Sequence, residues 1–279
     1  MTATALASGK GHKDENFPVA SVLLKKAHRA PVMAFYHFAR AADDVADNPA
    51  ASANEKLALL GQMRATILGH GDAEATALAL RETMTAHHLS SQHATDLLVA
   101  FARDCTVDHY DDWPSLMEYC RYSAMPVGRY VLDVHGEDHA TWAASDALCA
   151  ALQVINHVQD CGKDWRAIQR VYLPRDILAQ HGARVEDLGG TAATPALRAV
   201  IVDMATRTDT LLAQSAGFAR QIRDRRLAAE VAIIHRLAVS LNARLKRRDP
   251  LSQRVHHRAP EALGIAALAA VTQMVKGRA

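Results

Sequence analysis

Two groups of aspartates, far apart in the chain, have the residue type and spacing for metal-assisted chemistry. Asp43, Asp44 and Asp47 stand in the run Phe38-Ala-Arg-Ala-Ala-Asp-Asp-Val-Ala-Asp47. Asp160 and Asp164 stand in Asn156-His-Val-Gln-Asp-Cys-Gly-Lys-Asp-Trp165. Asp43/Asp47 and Asp160/Asp164 are i,i+4 pairs, which on a helix share one face with Cβ atoms roughly 5–6 Å apart. Like charges at that spacing repel unless a cation lies between them. Mg²⁺ suits such ligands, because it binds through few carboxylates and completes its octahedron with water and substrate phosphate. Two such pairs acting together would clamp a diphosphate. A solvated acidic helix end, or a set of surface salt bridges, is the plainer reading of the same residues.

The helix that carries the first group should stop at Asn48-Pro49, since a residue before proline avoids the α region. Asp43, Asp44 and Asp47 therefore fall in its last turns. There the macrodipole disfavours each carboxylate by roughly 0.3–1 kcal/mol. A local rule broken three times over marks a candidate functional site.

Helical periodicity recurs along almost the whole chain and predicts helices over 19–28, 31–47, 54–68, 73–88, 91–108, 114–136, 140–164, 195–224, 227–248 and 259–275. Alternating strand patterns are absent, so the expected fold class is all-α. The composition agrees: 49% of the 279 residues are hydrophobic, enough for a sizeable core, and only 5% are aromatic. No linker, repeat or low-complexity block divides the sequence. One helical domain over residues 15–279 is expected, after a loose leader at 1–14. Pro126, inside the 114–136 pattern, should kink that helix and free the carbonyl of Tyr122.

A formal net charge of +2 gives no reason to expect a polyanionic partner such as nucleic acid. The four cysteines lack metal-site spacing and read as reduced thiols of a cytoplasmic protein. No apolar run approaches the ~20 residues that span a bilayer. The basic stretch from Arg244 to Arg258 reads first as a helix end with favourable charge, and second as a patch for anionic lipid at the inner membrane.

With these motifs in hand, the chain resembles the squalene/phytoene synthase family from about Glu15 to Pro250. Asp43-Asp44-Val-Ala-Asp47, preceded by Arg40, matches the family's first aspartate motif and its diphosphate-contacting arginine. Gln153-Val-Ile-Asn156-His-Val-Gln-Asp160-Cys-Gly-Lys-Asp164 matches the second, where Gln153 and Asn156 occupy positions that approach substrate. Arg170-Val-Tyr172-Leu-Pro174 resembles the short segment that follows. Tyr119-Cys-Arg-Tyr122 resembles the mid-chain motif, with Tyr122 on a tyrosine that handles the rearranging intermediate. Departures are equally specific. Gln159 stands where an arginine usually precedes the aspartate, Ala124-Met-Pro-Val-Gly128 is followed by Arg129, and Asn16-Phe17 replaces Ser-Phe.

The resemblance implies a single-domain isoprenoid-synthase bundle with a central cavity. It further implies Mg²⁺ on Asp43, Asp44, Asp47, Asn156, Asp160 and Asp164, with Asp43, Asp47, Asp160, Asp164 and Tyr122 as the catalytic set. Asn16, Phe17, Arg40, Arg129, Gln153, Asn156, Gln159, Lys163 and Tyr172 would contact substrate. The departures are those of a hopanoid-pathway branch, implied to convert presqualene diphosphate and water into hydroxysqualene without a nucleotide cofactor. A sister presqualene diphosphate synthase would supply its substrate, and a flavoprotein reductase would take its product. Head-to-head condensation of prenyl diphosphates, or a non-catalytic helical scaffold of the same descent, are the alternatives.

Overall fold

The structure is a computed structural model that describes residues 24–258 and 260–265. Asn16, Phe17, the start of the 19–28 helix and the end of the 259–275 helix lie outside the described residues. No strand occurs among those described. The helices are α1 (Lys26–Asp47), α2 (Ala53–Ile67), α3 (Ala75–Ala86), α4 (Gln92–Asp104), α5 (Trp113–Ser123), α6 (Met125–Val134), α7 (Trp142–Ile168), α8 (Arg175–Gln180), α9 (Pro195–Gln214), α10 (Phe218–Gln221) and α11 (Arg225–Leu245). They sort into two compact units, residues 1–107 with 121–139 and residues 108–120 with 140–279.

In the first unit α1 packs against α2, α3, α4 and α6. Its buried residues Val32, Phe35, Phe38, Ala42 and Val45 recur every three or four positions, the stripe that a 3.6-residue repeat buries. Leu60, Met63, Leu80, Leu97 and Tyr130 complete that core. A capping box starts α2: Ser52 Oγ accepts the Glu55 N–H at 3.4 Å, and the Glu55 carboxylate accepts the Ser52 N–H at 2.8 Å.

In the second unit α7 and α11 both pack on α9. Ala147, Ala151, Val154, Ile155 and Val158 of α7 are buried there, as are Leu197, Val200, Ile201 and Met204 of α9. The extended stretch after α7 is pinned to the loop before α5, with the N–H groups of Val171 and Arg175 donating to the carbonyls of Asp108 and Tyr110.

The prolines behave differently from expectation. α1 continues through Pro31, which lies near its start and removes a single ladder bond. Pro126 does not kink a continuous helix. Ala124 leaves the helical region at φ −123°, ψ −46°, and Pro126 opens α6 from its first turn, where a missing N–H goes unnoticed. The 114–136 pattern is therefore two helices. The 195–224 pattern likewise breaks at 215–217, and α7 runs to Ile168, four residues beyond the expected end.

Candidate active site

In the first unit the candidate residues cluster at the end of α1. The helix stops at Asp47, and Asn48 turns extended (ψ 117°) ahead of Pro49, as the pre-proline rule requires. Lys56 donates to the Ala46 carbonyl at 2.9 Å, placing a cation at the negative end of the helix. Arg40 forks between two carboxylates, 3.0 Å from Asp43 and 2.9 Å from Asp44. Asp44 is buried under this fork, whereas Asp43 keeps 36% of its side-chain surface. Burial, then repulsion from Asp47, Asp104 and Asp44, pushes the Asp43 carboxyl up to about 7 despite the opposing pull of Arg40. Asp104, the last residue of α4, joins the acidic group without any local sequence signal. Its place follows from α4 packing against α1.

Two guanidiniums lie over the Tyr122 ring, Arg103 at 5.3 Å and Arg121 at 5.6 Å from its centroid. Arg129 is half-buried on α6.

In the second unit α7 carries Gln153, Asn156, Asp160 and Asp164 at steps of three, four and four residues, all half-buried on one helical stripe. Lys163 lies 3.8 Å from Asp160 and remains largely exposed. Gly162 stands where the chain packs closely. A Cβ there would lie 3.2 Å from both the Leu188 carbonyl and the Leu251 side chain. This close approach borders a cavity of ≈ 160 Å³ lined by Asp160, Lys163, Arg166, Arg254 and His256. In the basic stretch Arg247, Arg248, Arg254 and Arg258 are exposed, and several of its guanidiniums also bond the stretch's own backbone. Arg248 donates to the Arg254 carbonyl, Arg254 to the His256 and His257 carbonyls, and Arg244 bonds Glu261.

Gln159, 5% exposed, has no partner for either its amide oxygen or its nitrogen among the described residues. Leaving a buried polar group unpaired costs about 1–3 kcal/mol. Gln159→Leu is therefore expected to raise Tm by several degrees, at roughly 2–4 °C per kcal/mol for a chain of this size. Calorimetry on ligand-free protein checks this, and an unchanged or lower Tm would refute the unpaired amide.

His157, one helical turn after Gln153, was not foreseen from the sequence. Its ring lies 3.4 Å, centroid to centroid, from that of Tyr172, and its Nε2 is 3.0 Å from Gln153 Nε2. Burial, then the Arg170 charge, lowers its pKa to about 3, so the imidazole is neutral. Tyr172 is itself buried, its hydroxyl accepting from Arg170 at 3.2 Å, with Tyr110 and Tyr119 packed around it. The i,i+4 spacing of Gln153 and His157 is the signal that could have found this pair.

Among the described residues no three His, Cys, Asp or Glu side chains converge closely enough to hold a metal by themselves. Nor is any described helix long and apolar enough to cross a membrane. All four cysteines are free thiols, and burial pushes Cys120 and Cys161 up to about 12.

Residues 10–261 match the squalene/phytoene synthase family. The chain belongs to that family. It is 52% identical to the hydroxysqualene synthase of Zymomonas mobilis, over 98% of this chain and 93% of that one. Against the hydroxysqualene synthase of Rhodopseudomonas palustris the identity is 49%, over 91% and 87% of the two chains. The presqualene diphosphate synthase of Zymomonas mobilis is only 30% identical, over 73% and 70%. Among solved structures, the squalene synthase of Alicyclobacillus acidocaldarius superposes with a TM-score of 0.74 at 30% identity, over 88% of this chain and 92% of that one. Membership and superposition both agree with the all-α isoprenoid-synthase fold expected from the motifs.

Proposed function

We propose that the chain converts presqualene diphosphate and water into hydroxysqualene and diphosphate. The observation that carries this reading is a contrast within one organism. Identity to the Zymomonas mobilis hydroxysqualene synthase is 52%, against 30% to the presqualene diphosphate synthase of the same bacterium.

The aspartates fit a magnesium ion by their chemistry. They offer hard oxygen donors, and burial and the neighbouring Asp47 disfavour the charged form of Asp43, a conflict that a cation relieves. Mg²⁺ takes only one or two carboxylates when substrate phosphates complete its shell, so no three-residue cage is required. Asp43, Asp44 and Asp47 on α1 are one set of residues that would hold such an ion, and Asn156, Asp160 and Asp164 on α7 are another. Bound there, the metal would supply Lewis-acid withdrawal of charge from the departing diphosphate.

Arg40, Arg129 and Lys163 add fixed positive charge for the leaving group, acting where charge develops. As the C–O bond breaks its electron pair leaves with diphosphate, and Tyr122 offers its ring face to the carbocation. The cation has to be kept from bulk water until it has rearranged. One water then forms the new C–O bond and loses its proton to the released diphosphate. No reductant enters the balance, so this reaction calls for no nucleotide. A head-to-head synthase would supply the substrate, and a reductive step would consume the allylic alcohol. The protein would act on the cytoplasmic side of the membrane that receives these lipids.

Purified protein incubated with presqualene diphosphate and Mg²⁺, without reductant, should form hydroxysqualene detectable by mass spectrometry, and EDTA should abolish it. Unreacted presqualene diphosphate, with farnesyl diphosphate consumed instead, would replace this reading with head-to-head condensation.

A further inference from the structure

The pair His157 and Gln153 carries a consequence for the reaction. An amide nitrogen only donates hydrogen bonds, so an imidazole nitrogen 3.0 Å from Gln153 Nε2 must be the acceptor. The His157 proton then resides on Nδ1. The ring has little room to turn. It is stacked nearly parallel on Tyr172 (14° between planes) and tilted against Tyr119 at 6.0 Å. Tyr172 in turn is held by Arg170 through its hydroxyl and by the stacked ring of Tyr110. The stack thus fixes the plane of the ring, and with it the point at which Nε2 meets the Gln153 amide.

We propose that His157 is a positioning residue for Gln153: its unprotonated Nε2 ties down the amide N–H and leaves the carbonyl Oε1 as the end offered to the reacting carbons and the capturing water. The proposal rests on the reading of this site as one that ionises a prenyl diphosphate. Free to rotate by half a turn, the amide would present its NH₂ end as readily, and a donor there opposes a carbocation. Tethered, it presents a partial negative charge and an acceptor for a water O–H. His157 itself touches neither substrate nor metal in this scheme. Its effect is on the chemical step, because the diphosphate, which dominates binding, is held by other residues.

Two measurements test it. Nitrogen-15 NMR of the histidine side chains at pH 7.5, in wild-type protein without substrate or metal, should show His157 with the proton on Nδ1 and a hydrogen-bonded Nε2. A proton on Nε2 would overturn the proposal. In kinetics with presqualene diphosphate, His157→Leu should lower kcat about 10-fold and leave KM within about twofold, while His157→Gln, whose carbonyl also accepts, should recover most of the loss. In the Gln153→Leu background, His157→Leu should cost nothing further. Losses that multiply in the double variant would show that His157 acts independently of Gln153. The NMR result stands apart from activity. A wild-type protein inert towards presqualene diphosphate would therefore overturn the functional reading without deciding the His157 tautomer.

Discussion

Asp43→Asn is expected to lower turnover of presqualene diphosphate by about 10²–10³-fold while raising the Tm of the metal-free protein at pH 8. The two effects share one cause. Burial and the neighbouring Asp47 lift the Asp43 carboxyl to about 7 in the native state, against roughly 3.9 in an unfolded chain. The folded protein therefore binds the proton more tightly. Stability is highest below the unfolded value, falls as pH climbs between the two, and carries the full penalty above 7. Asp43 keeps 36% of its side-chain surface, so solvent screening reduces that penalty to about 1–2 kcal/mol. Asparagine has the same shape without the charge and removes the penalty, but it brings no negative charge to offset a divalent cation's. Thermal scans at pH 5 and pH 8 check the sign. Asn should help at pH 8 and do little at pH 5, and added Mg²⁺ should stabilise wild type at pH 8 but not the variant. Wild-type turnover in Asp43→Asn would remove this aspartate from the site.

Tyr130→Ala is expected to destabilise the protein by about 3–5 kcal/mol, the cost of truncating a fully buried aromatic. Tyr130 is 0% exposed, its ring stacked 4.0 Å from Phe35 and set edge-on to His93. Its hydroxyl donates to the Pro31 carbonyl at 3.3 Å, so one side chain of α6 fastens the start of α1. The α1 helix in turn carries Arg40 and the aspartates, and loosening it would disperse them. Tyr130→Phe separates the contributions. It keeps the stack and loses only the hydroxyl, for about 1 kcal/mol. Denaturant unfolding of both variants gives the comparison. An alanine variant within 1 kcal/mol of wild type would mean that this core tolerates the cavity.

The aspartate spacing, the Asn48-Pro49 stop and the absence of strand periodicity were legible from composition and order alone. They depend on contacts within one or two helical turns, and such rules are local. Helix class, the end of α1 and the shared face of Asn156, Asp160 and Asp164 all follow from these rules. The family motifs added what those residues would bind.

Tertiary packing decided the rest. The difference between a kinked helix at Pro126 and two separate helices depends on how each half is buried, which no local propensity encodes. Asp104 reaches the acidic group only because α4 packs on α1. Gln159 reads as a missing arginine in sequence, and only burial turns it into an amide with unmet bonds. His157 looks like one of fifteen scattered histidines until Tyr172, fifteen positions later, folds back beneath its ring. Spacing along a helix specifies which side chains share a face. The charge state and partner of each depend on what the chain brings back over that face, and on how much water is left there.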